Sequence, residues 1–134
     1  MILVDSDALF DIITNDTAFA AWSAEQLDHA RLSGRVSIND VIYAAFSVRY
    51  RSPEEVDGVL GDMGIDRRPM PGPALFLAGK AFLRDRRCGG TRSGVLADFF
   101  IGAQAAVEGL TVLTRDPRRY RMYFPSVALV TPEA

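Results

Sequence analysis

Three carboxylates are the residues of this chain best placed to do chemistry. Asp5 ends the apolar run Ile2-Leu3-Val4, and Asp116 follows Leu110-Thr111-Val112-Leu113. Asp98 sits early in the helical stretch that leads into that second run. The chain has one histidine, His29, and one cysteine, Cys88, which argues against imidazole-based metal sites, cysteine clusters and an internal disulfide. Carboxylates converging without imidazole or thiolate make a hard-oxygen site, suited to Mg²⁺ or Mn²⁺. Such ions serve phosphoryl chemistry by activating a water and offsetting charge on the transition state. Each aspartate also has a plain structural reading. Asp5 or Asp7 can cap the helix that follows, Asp116-Pro117 can open a turn, and Asp98 can favour the first turns of its own helix.

The elements that must position these acids follow from periodicity. Ile2-Leu3-Val4, Val36-Ser37-Ile38, Leu110–Leu113 and Val127–Val130 are short β-rich runs, and residues 65–69 are an extended connection or short strand. Between them lie helical patterns. One opens at Ala8-Leu9-Phe10 with Ser6 or Asp7 as cap, and another runs from about 17 to 32 and closes at Gly34. A third is capped by Asn39 or Asp40 and carries Val41, Ile42, Ala44, Ala45 and Val48. Ser52-Pro53-Glu54-Glu55 is a capping box with proline at the first helical position, so it starts a fourth. A fifth spans about 74–87, residues 88–91 form a loop, and a sixth carries Val95, Leu96, Phe99, Phe100, Ala103, Ala106 and Val107 at helical spacing. Gly109 stands where that helix needs a left-handed residue to stop. Alternating strands and helices predict a parallel sheet covered on both faces, with ligands taken at the carboxyl ends of the strands.

A length of 134 residues fits one domain, residues 1–134, with a real core. No apolar run approaches the ~18 residues of a membrane span, and the first ten residues carry an acid and no basic segment, so they do not read as a secretory signal. The cytoplasm is the expected compartment. Charge is unevenly spread. Residues 1–66 hold 12 acids and 4 bases, whereas residues 67–134 hold 5 acids and 11 bases. Arginines group at Arg84, Arg86, Arg87 and Arg92, and again at Arg115, Arg118, Arg119 and Arg121. Guanidinium forks match phosphate or carboxylate geometry, and solvated helix faces are the bland alternative.

Four segments together resemble the PIN-domain family, specifically VapC-like toxins of bacterial toxin–antitoxin pairs. ILVDSDALFDI resembles the family's opening strand and first acid, at Asp5. INDVIYAAFS resembles the second segment, GGTRSGVLADFFIGAQA the third with its acid at Asp98, and LTVLTRDPRRYRMYFP the fourth with Thr114 and Asp116. The resemblance implies a three-layer α/β/α sandwich with a central parallel sheet. It implies a Mg²⁺- or Mn²⁺-dependent endoribonuclease, usually a homodimer, neutralised by an antitoxin protein. Carried onto this chain, Asp5, Asp98 and Asp116 hold the metal, Ser6 and Thr114 support them, and Arg92, Arg115 and Arg118 contact the RNA backbone.

The second segment departs from the family. Where relatives carry a glutamate, this chain has Ala45, and a methyl group neither binds an ion nor orients water. Asp40 lies roughly 140° round the helix and is a poor substitute, and Glu54 and Glu55 belong to the next helix. The loss, natural or engineered, takes four carboxylates down to three and puts activity in doubt. Asp7 stands where asparagine is common, and Gln104 where relatives often show histidine. The alternative reading is therefore an inactive or weak PIN-fold protein that holds an antitoxin and co-regulates its operon. A DNA nuclease would use the same acids. A phosphotransfer receiver ranks low, because the only lysine, Lys80, lies in a predicted helix.

Overall fold

The computed structural model describes residues 1–87 and 96–132; the loop expected at 88–91 and Arg92 lie outside the described residues. The elements run β1 (Ile2–Val4), α1 (Ser6–Thr14), α2 (Ala20–Ser33), β2 (Val36–Ile38), α3 (Asp40–Ser47), α4 (Pro53–Asp62), β3 (Ile65–Arg67), α5 (Gly72–Arg87), α6 (Leu96–Glu108), β4 (Thr111–Leu113), α7 (Arg118–Tyr123) and β5 (Leu129–Val130). All strand pairs are parallel, in the order β3-β2-β1-β4-β5. This is the α/β architecture with a central parallel sheet that the strand–helix alternation predicts. Right-handed crossovers place α1–α4 on one face, because β1, β2 and β3 step one way, and α5–α7 on the other, because β4 and β5 step back.

Chain direction across the sheet therefore reverses between β1 and β4, and Ile2, Leu3 and Val4 pair with Thr111, Val112 and Leu113. That reversal opens a crevice at the carboxyl ends of those two strands. The short strands are held by what they bury. Leu3, Val4, Ile38 and Val112 have no exposed surface, and Ile42, Phe46, Ile101 and Tyr120 close the core over them. A second cluster joins α5, α6 and α7 through Ala78, Ala81, Phe99, Ala103, Tyr123 and Phe124. Gly102 is required there, since a Cβ on it would lie 2.3 Å from the Phe124 ring. Gly109 takes φ 68°, the left-handed turn that ends α6.

Several boundaries differ from expectation for local reasons. The first helix is capped by Asp5 itself, whose side chain accepts from the Asp7 backbone N–H; Ser6 is its first residue. The second starts at Ala20, because Asp16 accepts from the N–H groups of Ala18 and Phe19 and holds a turn there. Ser52 caps α4 by accepting from Glu55 N at 3.2 Å, with Pro53 in the first turn, as predicted. The helix α7 was not expected. It has six residues, starts at an Asp-Pro that reads as a turn, and is fixed by burial of Tyr120 and Tyr123. Among the described residues, no helix is long and apolar enough to cross a membrane.

Candidate acidic site at the sheet switch point

Asp5 and Thr114 are the first residues beyond the paired ends of β1 and β4. The Asp5 N–H donates to Leu113 O at 2.9 Å, and the Thr114 N–H donates to Val130 O at 3.0 Å, so both are pinned by the sheet. Asp5 is 3% exposed. Its Oδ2 accepts from the Thr114 hydroxyl at 2.9 Å and from the Tyr120 hydroxyl at 3.1 Å. Among the described residues, its Oδ1 accepts from the Ser6 hydroxyl at 3.4 Å and the Asp7 N–H at 3.5 Å. Burial, then the neighbouring Asp7, push the Asp5 carboxyl upward, and the hydroxyl donors pull it back.

Thr114 also ties in the third acid. Its Oγ1 accepts from the Asp116 N–H at 3.1 Å while donating to Asp5, so one hydroxyl orients both residues. Asp116 is half-buried, and its carboxylate takes a two-pronged bond from Arg118, with Nε and Nη2 each at 3.0 Å. That pairing holds the Asp116 carboxyl below its ordinary range. Asp98 enters from the first turn of α6. Burial, then the charges of Asp5 and Asp7, push its carboxyl up to about 7; Arg119 opposes them and Asp116 adds to them. Asp98 therefore senses both Asp5 and Asp116 across the crevice.

Ala45 is half-buried on α3, one residue before the fully buried Phe46. Its helix packs against α1 and α6, the helices that start at Asp5 and carry Asp98. None of the suggested substitutes reaches this place. Asp40 is exposed and faces Arg67 at 3.9 Å; Glu54 and Glu55 are exposed in the first turn of α4. Gln104 is fully buried but turned elsewhere, donating to Pro69 O and to Glu108 Oε1 at 3.1 and 2.7 Å. Arg115, expected to contact the RNA backbone, is engaged on its own chain. Its Nε lies 3.0 Å from the buried Asp11 carboxylate and its guanidinium covers the Phe19 ring, so it locks α1 to the end of β4. Arg118 is exposed at the rim, but engaged with Asp116. Arg119, half-buried, is the arginine whose charge reaches Asp98, and with Arg118, Asp85 and Met122 it lines a cavity of about 260 Å³.

Periodicity alone missed Tyr120 and Asn39. Tyr120 lies on the unforeseen helix, with its hydroxyl on Asp5. Asn39 was expected only as a cap and is one: its Oδ1 accepts from Ile42 N at 2.8 Å. Continuing the β1–β2 register also sets it beside Asp5 on the rim. No signal in the sequence marks either beyond its place just after a strand or its aromatic character.

The donor set suits a hard divalent ion in kind, because it is all carboxylate, and in charge, because Asp98 is raised by its acidic neighbours. The side chains as placed do not yet gather one: among the described residues, no group of three His, Cys, Asp or Glu could hold a metal ion. Asp116 is already engaged by Arg118.

Fold and site together define a doubly wound α/β chain with an acidic switch-point crevice, and solved structures share that fold. No family model and no curated relative matches the chain. It is similar over 99% of its length, and 100% of the other chain, to the crystal structure of VapBC2 from Rickettsia felis bound to a DNA fragment from their promoter, with a TM-score of 0.72 at 14% identity. It is similar to FitAcB from Neisseria gonorrhoeae, with a TM-score of 0.67 at 19% identity and 98% of each chain covered. A toxin–antitoxin complex from Klebsiella pneumoniae matches with a TM-score of 0.63 at 14% identity, covering 99% of this chain and 98% of that one. The parallel α/β fold that the sequence predicts is thus the fold these solved chains share.

Proposed function

We propose that this chain is the toxin of a toxin–antitoxin pair and that its acidic crevice is a Mg²⁺- or Mn²⁺-dependent endoribonuclease site, weakened by Ala45. The observation that supports the reading is that Asp98 on α6 senses the charges of Asp5 and Asp116, which follow β1 and β4 at the crevice the strand order creates. The fold's likeness to chains of VapBC and toxin–antitoxin structures supports the choice of class. Asp5, Asp98 and Asp116 would hold the ion. When bound, a divalent ion lowers the pKa of a water and neutralises charge at a phosphodiester. The chain's own residues do the rest. Thr114 orients Asp5 and Asp116 through one hydroxyl, and Arg119 offers positive charge beside Asp98 for an RNA phosphate, a contact without sequence preference. The antitoxin, the RNA substrate, the homodimer and a cytoplasmic setting belong to this same reading.

A second reading is favoured by Ala45 itself. A three-acid crevice with Asp116 already paired fits a PIN-fold protein kept for antitoxin binding and operon control. Ala45→Glu separates the two. In the first reading it restores an oxygen ligand from a helix that packs on α6, at little cost in helix propensity. Mn²⁺ affinity then rises, and ion-dependent cleavage of a structured RNA rises by about two orders of magnitude, the size of a single strong catalytic contact. A folded Ala45→Glu protein with the parent's affinity and activity supports the binding role instead.

A further inference from the structure

The cavity of about 260 Å³ between α5 and α7 is lined, among the described residues, by Asp85, Arg118, Arg119 and Met122. It adjoins the acidic crevice through its arginines. Arg118 grips the Asp116 carboxylate, and the charge of Arg119 reaches both Asp98 and Asp116. Arg84 brings a third guanidinium to the same side of the molecule, 5.5 Å from the centre of the Tyr123 ring. Guanidinium groups suit phosphates, so the arginines alone describe a stretch of nucleic-acid backbone. Asp85 does not fit that description. It is half-buried on α5, and its Oδ1 accepts from the Tyr123 hydroxyl at 2.9 Å, which ties it to α7. A carboxylate repels a phosphodiester and can only accept hydrogen bonds. From the backbone of a nucleic acid it attracts a donor, and that donor is the ribose 2′-hydroxyl, which DNA lacks. A carboxylate has room for about four hydrogen bonds, so the one from Tyr123 does not exhaust it.

We propose that this cavity takes the sugar–phosphate of the nucleotide next to the one in the crevice, with Arg119 on the phosphate and Asp85 accepting from the ribose 2′-hydroxyl, so that Asp85 makes the site favour RNA over DNA. The inference rests on the nuclease reading above, because a strand lying in the crevice then passes the cavity. The cavity is smaller than the ~300–1,000 Å³ of pockets that enclose a whole ligand, which suits a fragment of a nucleotide rather than all of it. Met122, largely exposed at its edge, offers the sugar an apolar wall.

The test measures binding in chelator at low salt, so that neither ion nor cleavage enters. Fluorescence anisotropy compares a labelled single-stranded RNA, DNA of the same sequence, and RNAs carrying one 2′-deoxy substitution moved along the strand. The parent binds RNA about tenfold more tightly than DNA, the worth of one hydrogen bond to a charged group, and one deoxy position accounts for that loss. Asp85→Ala brings the ratio close to one, weakening RNA and, with a repelling charge gone, strengthening DNA. Arg119→Gln weakens both alike and keeps the ratio, as a phosphate contact does. Tyr123→Phe removes the internal partner of Asp85, leaves the carboxylate, and keeps the ratio. The deoxy series reads the contact in the parent itself, so it decides the matter even where a variant folds poorly. The inference is overturned by a deoxy series with no sensitive position, by an Asp85→Ala ratio equal to the parent's, or by a Tyr123→Phe ratio that narrows as far as that of Asp85→Ala. RNA cleavage by Ala45→Glu would in each case leave the proposed function standing. If neither the parent nor Ala45→Glu binds or cleaves RNA, with or without Mn²⁺, the proposed function fails and this inference with it.

Discussion

Two carboxylates on one helix have opposite fates. Glu108, at the end of α6, accepts from Arg68 Nη2 and Nε on one oxygen at 2.8 and 3.1 Å and from Gln104 on the other at 2.7 Å. Its carboxyl is held below the ordinary range, chiefly by Arg68. Asp98, in the first turn, is pushed up to about 7 by burial and by Asp5 and Asp7. The helix dipole acts the other way, favouring an acid at the start and opposing one at the end. Neighbours therefore outweigh the dipole at both places. Glu108 is satisfied by its own chain and fastens α6 to the connection after β3. The charge on Asp98 costs the fold stability, and a carboxylate kept under that strain in a crevice is a candidate for binding something from outside.

The widest separation between the two is expected in function. Asp98→Asn in the Ala45→Glu protein should reduce ion-dependent RNA cleavage by two orders of magnitude or more, since it removes a ligand outright. Glu108→Gln should leave cleavage per folded molecule intact. Its cost is stability, about 1–3 kcal/mol, because Arg68 loses the charge it pairs with. Cleavage assays with and without chelator, beside denaturant melts, read both. Equal loss of cleavage in the two variants would break the contrast.

Stability against pH sharpens it next. Asp98 has an ordinary value of 3.8 unfolded and about 7 folded. Below pH 4 both states carry the proton, so it contributes nothing. Between the two values the folded state keeps a proton that the unfolded chain has released, so unfolding becomes easier as pH rises. Above about 7 the loss is complete, on the order of 4 kcal/mol at most. Asp5, also raised, adds in the same direction. The metal-free protein should therefore lose stability from pH 4 to pH 8. Asp98→Asn should flatten much of that slope and be the more stable protein at pH 8. Glu108, whose carboxyl is lowered, works in reverse: its contribution is present above the unfolded value and lost as pH falls through the folded one. An Asp98→Asn profile parallel to the parent's would mean that the carboxylate is not strained.

Much of this was legible in the chain. Leu3, Val4 and Val112 read as buried strand positions because an interior strand has no polar face to show, and they are buried. The acids at strand ends were legible because a parallel sheet collects its strand ends on one rim. What lay hidden depends on contacts between residues distant in sequence. Arg115 looked like its neighbours in a basic run, yet a buried partner 104 positions earlier, Asp11, engages it. The helix α7 has too few residues to show a period, and it is held by Tyr120 and Tyr123 rather than by propensity. Tyr120 could not be tied to Asp5 without it. Glu108 carried no sequence signal beyond being an acid on the helix of Asp98, and what holds it low is the Arg68 contact, made across 40 positions.

The smallest expected effect concerns Arg118, among the described residues the one cation that gives a site carboxylate the kind of two-pronged pairing Glu108 has. Its side chain is 81% exposed, against 33% for Arg68, so water screens it and little rests on it. Arg118→Gln should leave the melting temperature in chelator within error of the parent. It nonetheless occupies both oxygens of Asp116 with a two-pronged bond, and an ion seeking that carboxylate must displace it. Removing the guanidinium should therefore raise Mn²⁺ affinity a few-fold, while RNA binding weakens and its salt dependence falls by about one phosphate contact. The two directions oppose each other, which is what separates a competitor for the ion from a mere surface charge. Titration of Mn²⁺ by electron paramagnetic resonance, beside fluorescence anisotropy of a labelled RNA at several salt concentrations, measures both. A fall in Mn²⁺ affinity would show that Arg118 supports Asp116 as Arg68 supports Glu108, and the contrast between the two ends of α6 would then stop at Asp98.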